Sequence, residues 1–208
     1  MAFVAGLSSS GFWSRWRNHL LGQRRRKLFL MALMVGVLTT VIAFTAFRVW
    51  WSPTWTQVNL LLDYRFSDVE SISTQQLDAA LTRERHEPMA SKLVLLDIRS
   101  AEEFAVSRIP GARHVLPEAV LDFAERELAS ADRAQPIIVY CSVGLRSAVA
   151  ARDLRFLGFT QVKNLRGSLF QWANEGRGLE GGAVVHPYSD HWGRLLLEAF
   201  RLKPPASR

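Results

Sequence analysis

Leu28–Phe47, LFLMALMVGVLTTVIAFTAF, runs for twenty residues without a charged side chain. As a helix rising about 1.5 Å per residue, such a run spans the roughly 30 Å hydrocarbon core of a bilayer. Thr39, Thr40 and Thr45 can return their hydroxyls to helix carbonyls, which makes them tolerable in lipid. Arg24, Arg25, Arg26 and Lys27 crowd one flank, and Trp50, Trp51 and Trp55 follow the other. That layout predicts a retained single-pass helix over 28–50, with tryptophans at headgroup level and the basic side in the cytoplasm. A cleaved signal has a shorter apolar region ending in small residues, whereas Phe47, Val49 and Trp50 are bulky. An organellar targeting segment is the alternative, with Phe12, Trp13, Trp16 and Leu20 forming an amphipathic face.

Charge supports the same division. The first 50 residues carry seven Lys and Arg and no Asp or Glu, while the remainder carries 19 of each sign. The formal charge of +7 therefore belongs to the N-terminal quarter, and the balanced remainder argues against nucleic acid as a partner. The reading is a basic cytoplasmic arm over 1–27, the span, a juxtamembrane linker over 51–67 broken by Pro53, and a soluble region. In a bacterium that region would face the periplasm from the inner membrane.

In the soluble region, apolar runs too short for helices alternate with stretches of helical spacing. Lys92–Arg99, Ile137–Tyr140 and Val162–Leu165 read as buried strands. Helices are expected over Thr74–Leu81, from the Ser100/Glu103 capping box, over Glu118–Ala129, Ser147–Leu157 and Leu169–Asn174, and around Trp192–Leu202 before Pro204-Pro205. Alternation of this kind predicts an α/β fold with a central parallel sheet flanked by helices. The C-terminal extension, 183–208, has no assigned role.

The chain has one cysteine, which excludes an internal disulfide and CxxC chemistry. Cys141 stands where the strand Ile137–Tyr140 ends, and Ser142-Val143-Gly144-Leu145-Arg146 curls before a helix from Ser147. Ligands of parallel sheets sit beyond such strand ends. A tight curl turns backbone N–H groups inward as an anion nest, the helix dipole adds to it, and Gly144 gives the turn its freedom. Arg146 adds a permanent positive charge. Together they favour thiolate, so a Cys141 pKa below the free value of about 8.5 is expected.

The stretch LLDIRSAEEFAVSRIPGARHV, the loop CSVGLRS and the exit LGFTQVKNLRGSLFQW resemble a single rhodanese domain, here over 68–182. Two departures stand out. Ser107-Arg108 replaces the usual Gly-His, and Gly167-Ser168 the usual Gly-Gly; neither is expected to touch the loop. The resemblance implies two-step sulfur transfer. Cys141 takes the outer sulfur of a small anionic donor such as thiosulfate as a persulfide, and a thiol or other nucleophile removes it. Arg146 would draw in the donor, and Ser142, Val143, Gly144, Leu145 and Ser147 would bind it. No metal or organic cofactor is implied; His186 and His191 lie outside the motifs, and His114 reads as packing. Asp97 and Arg99 are supporting residues. Asp97 is expected to hold a loop through backbone N–H groups, Arg99 to pair with Glu102 or Glu103, and Trp172 to pack the last helix on the sheet. Phosphatases and arsenate reductases of this fold carry five residues between Cys and Arg, and here there are four. A non-catalytic tethered module is the other alternative.

Overall fold

A computed structural model describes residues 10–50, 52–86 and 93–203. Lys92, Trp51, the Pro204-Pro205 stop and the first nine residues of the basic arm lie outside the described residues. Two compact units divide between Ser52 and Pro53. The first is one helix, α1 (Ser10–Trp50), so residues 10–27 of the expected arm continue helically into the apolar run. Arg26–Thr45 within it is long and apolar enough to cross a membrane. Thr39, Thr40 and Thr45 donate to the carbonyls of Gly36, Val37 and Ile42 at 2.9, 2.8 and 2.9 Å, as lipid exposure would require.

The second unit is built on five parallel strands, β1 (Ser71–Ile72), β2 (Val94–Asp97), β3 (Arg113–His114), β4 (Ile137–Tyr140) and β5 (Val162–Leu165). Their order is β1-β5-β4-β2-β3. The two-residue edge strands β1 and β3 carry too little pattern to be read from sequence. Helices α3 (Thr74–His86), α4 (Ala101–Val106), α5 (Val120–Glu127), α6 (Leu145–Phe156) and α7 (Ser168–Asn174) complete the alternation. The chain runs outward from β2 to β3 and then returns to place β4 on the other side of β2. That reversal makes the carboxyl ends of β2 and β4 the topological switch point, where α/β sheets place ligands. Side chains alternate across β4 with period two. Ile138 and Tyr140 enter the core on one face, and Ile137, Val139 and Cys141 the core on the other.

Two segments expected to be appendages belong to this unit. The linker contains α2 (Trp55–Arg65), opened by a Thr54/Gln57 capping box. Val58 and Leu62 of α2 lie in the core, where burial of an apolar side chain is worth about 1.5–3 kcal/mol each. Beyond α7, Val185, Leu195 and Leu196 enter the same core. The helix expected over Trp192–Leu202 is instead two short 3-10 turns, Trp192–Leu195 and Glu198–Phe200. Competing bonds explain the difference. Asn174 clamps the Leu195 carbonyl and the Leu197 N–H at 2.8 Å each, and Val185 takes the Phe200 carbonyl and the Leu202 N–H.

Candidate active site

The loop after β4 is fixed from below before it can present anything. Cys141 N–H donates to Ser168 Oγ at 3.2 Å, and the Cys141 and Ser142 carbonyls accept from the N–H groups of Leu169 and Phe170 at 3.1 Å. The Gly167-Ser168 departure thus touches the loop directly, against expectation: a second glycine would offer no hydroxyl there. Gly144 takes φ +108°, in the left-handed region, and its carbonyl accepts from Asn164 Nδ2 at 3.0 Å. A Cβ at Gly144 would lie 3.3 Å from Leu62 Cδ1 of α2, a second reason for glycine here.

Helix α6 begins at Leu145, two residues earlier than expected, so Arg146 and Ser147 stand in its first turn. Gly144 N–H reaches Cys141 Sγ at 3.2 Å, and the Ser147 hydroxyl reaches it at 3.5 Å. Burial pushes the Cys141 thiol up. The Arg146 charge, the Ser147 hydroxyl and the amides of Ser147 and Gly144 together outweigh that, and the pKa is lowered as expected. Cys141 is 1% exposed, so the sulfur is enclosed yet faced by donors. The other expected binding residues divide differently. Val143 and Leu145 pack their side chains against the core, and the Ser142 hydroxyl is committed to neighbours rather than to the mouth.

Those neighbours include Glu103, which the sequence reading placed in a helix cap and as one candidate partner of Arg99. Glu103 does cap α4, exchanging bonds with Ser100, but its carboxylate also spans the switch point. It accepts from Arg146 Nη1 and Nη2 at 2.9 Å each and from Ser142 Oγ at 2.6 Å. Burial raises the Glu103 pKa, but the bonds from Arg146, Ser142 and Ser100 lower it further, and the net direction is down. Arg146 thus adds its expected charge as half of a bidentate pair with Glu103. Its guanidinium also lies 4.4 Å from the ring centroid of Tyr188. Burial acts to lower the Arg146 pKa, yet Glu103, the Cys141 sulfur and Tyr188 carry it upward.

Asp97 and Arg99 form a buried pair 2.6 Å apart with both side chains fully enclosed. Asp97 also accepts the Arg99 N–H at 3.0 Å, in keeping with the loop-holding role expected of it. Contrary to the expectation from sequence, Arg99 pairs with Asp97 and not with the Glu102 or Glu103 carboxylates. It satisfies its remaining donors on the carbonyls of Glu103 at 3.1 Å and Ser107 at 2.6 Å, because a buried guanidinium must use its whole fork. The pair therefore ties α4 in place and thereby positions Glu103. His114 stacks on Phe104, and Trp172 is buried in the core.

A central parallel sheet with a cysteine loop opening a helix at its switch point defines the rhodanese fold. Residues 75–175 match the Rhodanese-like domain family. The chain is 32% identical over 101 residues to the uncharacterized protein YqhL of Bacillus subtilis, covering 49% of this chain and 77% of that protein. It is 37% identical over 78 residues to the thiosulfate sulfurtransferase GlpE of Pseudomonas aeruginosa, covering 38% of this chain and 67% of that one. A solved thiosulfate sulfurtransferase from Pseudomonas aeruginosa aligns at 30% identity and a TM-score of 0.49, over 59% of this chain and 22% of that structure. The chain belongs to the rhodanese family, and it has sulfurtransferases among its relatives. Leu62 and Tyr188, both placed against the loop, lie outside the matched residues.

Proposed function

We propose that this chain is a membrane-anchored sulfurtransferase that carries sulfane sulfur on Cys141. The observation that carries the reading is the pair of donors, Gly144 N–H and the Ser147 hydroxyl, aimed at a thiol whose pKa is lowered. In the first half-reaction the Cys141 thiolate attacks the outer sulfur of a donor. With thiosulfate the S–S bond breaks, sulfite leaves with the bonding pair, and a Cys141 persulfide anion remains. In the second, an acceptor thiolate or other nucleophile attacks the terminal sulfur and the Cys141 thiolate departs. The donors that favour the thiolate are placed to hold a persulfide anion by the same electrostatics. Arg146, positioned by Glu103, stabilises the negative sulfur, and Ser142 completes that pair's bonding.

Anchoring is supported by the apolar Arg26–Thr45 segment and by the crowding of Arg24, Arg25, Arg26 and Lys27 at its N-terminal end, against the single Arg48 just past the other. The orientation proposed puts residues 53–203 on the periplasmic face of a bacterial inner membrane. Protease added to spheroplasts digests that region under this reading, and protection reverses the orientation.

The enclosure of Cys141 favours one rival, a non-catalytic module tethered to the membrane. Intact mass after exposure of the purified full chain to thiosulfate or a thiol persulfide decides between them. Addition of one sulfur to the wild type and none to Cys141→Ser is expected. A wild type labelled by neither donor refutes the transferase.

A further inference from the structure

Arg146 has five N–H donors, and three are already spent: one Nη1–H and one Nη2–H on Glu103, and a second Nη2–H on Ser142 Oγ. One face of its guanidinium is covered by the Tyr188 ring, which is itself 49% exposed. Counting the Cys141 thiolate, Glu103 and Arg146 together, the cluster around the sulfur carries a formal single negative charge. A small dianion is repelled by such a cluster, and the cation that would offset the repulsion has three of its five donors spent and one face covered.

Tyr188 reaches this position at a conformational cost. Its φ is +62°, in the left-handed region, which a bulky aromatic rarely enters. The surroundings impose it. The Tyr188 N–H donates to His186 Nδ1 at 3.0 Å, and the Ser189 N–H returns to the Pro187 carbonyl at 2.7 Å. Pro187 is wedged against Gly193, where a Cβ would come within 2.7 Å of the proline ring. Val185 on one side and Leu195 and Leu196 on the other are buried. The turn is thus clamped at both ends around a strained residue whose ring projects onto Arg146. Strain held by its surroundings beside a reactive group is the usual mark of a functional constraint.

We propose that Tyr188 is the specificity-determining residue of this site, selecting sulfur carried on an organic thiol over small inorganic oxyanion donors such as thiosulfate. This deepens the sulfur-transfer reading and rests on it. The ring screens Arg146 from a dianion and offers the carbon skeleton of a thiol persulfide an apolar, half-exposed surface beside the sulfur. With a hydropersulfide R–S–S–H, the Cys141 thiolate attacks the terminal sulfur and a new Sγ–S bond forms. The donor S–S bond breaks, its electron pair leaves on R–S⁻, and the hydrogen stays on the transferred sulfur. No further oxidant or reductant enters.

The test measures kcat/KM of the purified full chain for Cys141 persulfide formation from thiosulfate and from glutathione persulfide, with Cys141→Ser as the blank. The wild type favours glutathione persulfide. Tyr188→Ala shifts the ratio toward thiosulfate by roughly threefold to tenfold, the range expected for one cation–π contact, and does so through KM. Tyr188→Phe keeps the ring and the wild-type ratio. A wild type faster with thiosulfate, or equal change for both donors in Tyr188→Ala, overturns the proposal, because a merely structural residue would move both alike. A chain labelled by both donors with an unmoved ratio leaves sulfur transfer standing and removes only the role of Tyr188. Failure of both donors to label Cys141 sinks the transfer reading itself, and this inference with it.

Discussion

Replacing Glu103 by Ala removes the carboxylate that joins the loop after β2 to the loop after β4. Its side chain is 2% exposed, and it accepts from Arg146 twice, from Ser142 and from the Ser100 N–H. Breaking a buried pair by deleting one partner costs about 3–5 kcal/mol. Arg146 is 27% exposed, so water recovers part of its solvation, and about 2–3 kcal/mol is the expected loss. For a folded unit of this size, 1 kcal/mol corresponds to about 2–4 °C, so the melting temperature should fall by about 5–10 °C. Glu103→Gln, which keeps the shape and loses the charge, should fall by less. The assay is thermal unfolding of the full chain by circular dichroism, followed from pH 7 into acid. Since the folded pKa of Glu103 is depressed, its stabilisation is complete above the ordinary carboxylate range, about 4.3, and fades as pH falls through the lower folded value. The gap between wild type and Glu103→Gln should therefore close in acid. A Glu103→Ala chain melting within about 1 °C of wild type at pH 7 would refute the reasoning, since it would mean that desolvation cancels all four bonds.

Two further outcomes follow from the same contacts. The pH midpoint for alkylation of Cys141 by neutral iodoacetamide should lie below that of a free thiol, and Arg146→Ala should raise it; an unchanged midpoint would assign the lowering to the loop donors alone. Leu62→Ala should destabilise the unit by about 2–4 kcal/mol, because Leu62 is buried and its Cδ1 packs on Gly144. A loss below about 0.5 kcal/mol would make α2 a linker after all.

The local elements were legible because their causes are local. A charge-free run, short apolar stretches, a Ser100/Glu103 cap and a glycine before a helix each state their structure within a few residues. So did the turn that points backbone N–H groups inward at the sulfur, of which the Gly144 N–H is one. The edge strands β1 and β3 were missed because two residues hold no periodicity, and the expected terminal helix failed because Asn174 and Val185 hold that segment's backbone groups. Glu103 was visible as a helix cap, yet nothing in its neighbourhood announces Arg146, 43 residues away.

What the sequence determined by itself was the sulfur, the bend that cradles it, and the alternation that makes a parallel sheet. What only the tertiary structure decided was the company that sulfur keeps: Glu103 on Arg146, Ser168 beneath Cys141, Leu62 against Gly144 and Tyr188 over the guanidinium. The physical reason is the order of the strands. Reversal of the chain between β3 and β4 brings the ends of β2 and β4 side by side and joins Glu103 to Arg146, while the pairing of β5 with β4 sets Ser168 beneath Cys141.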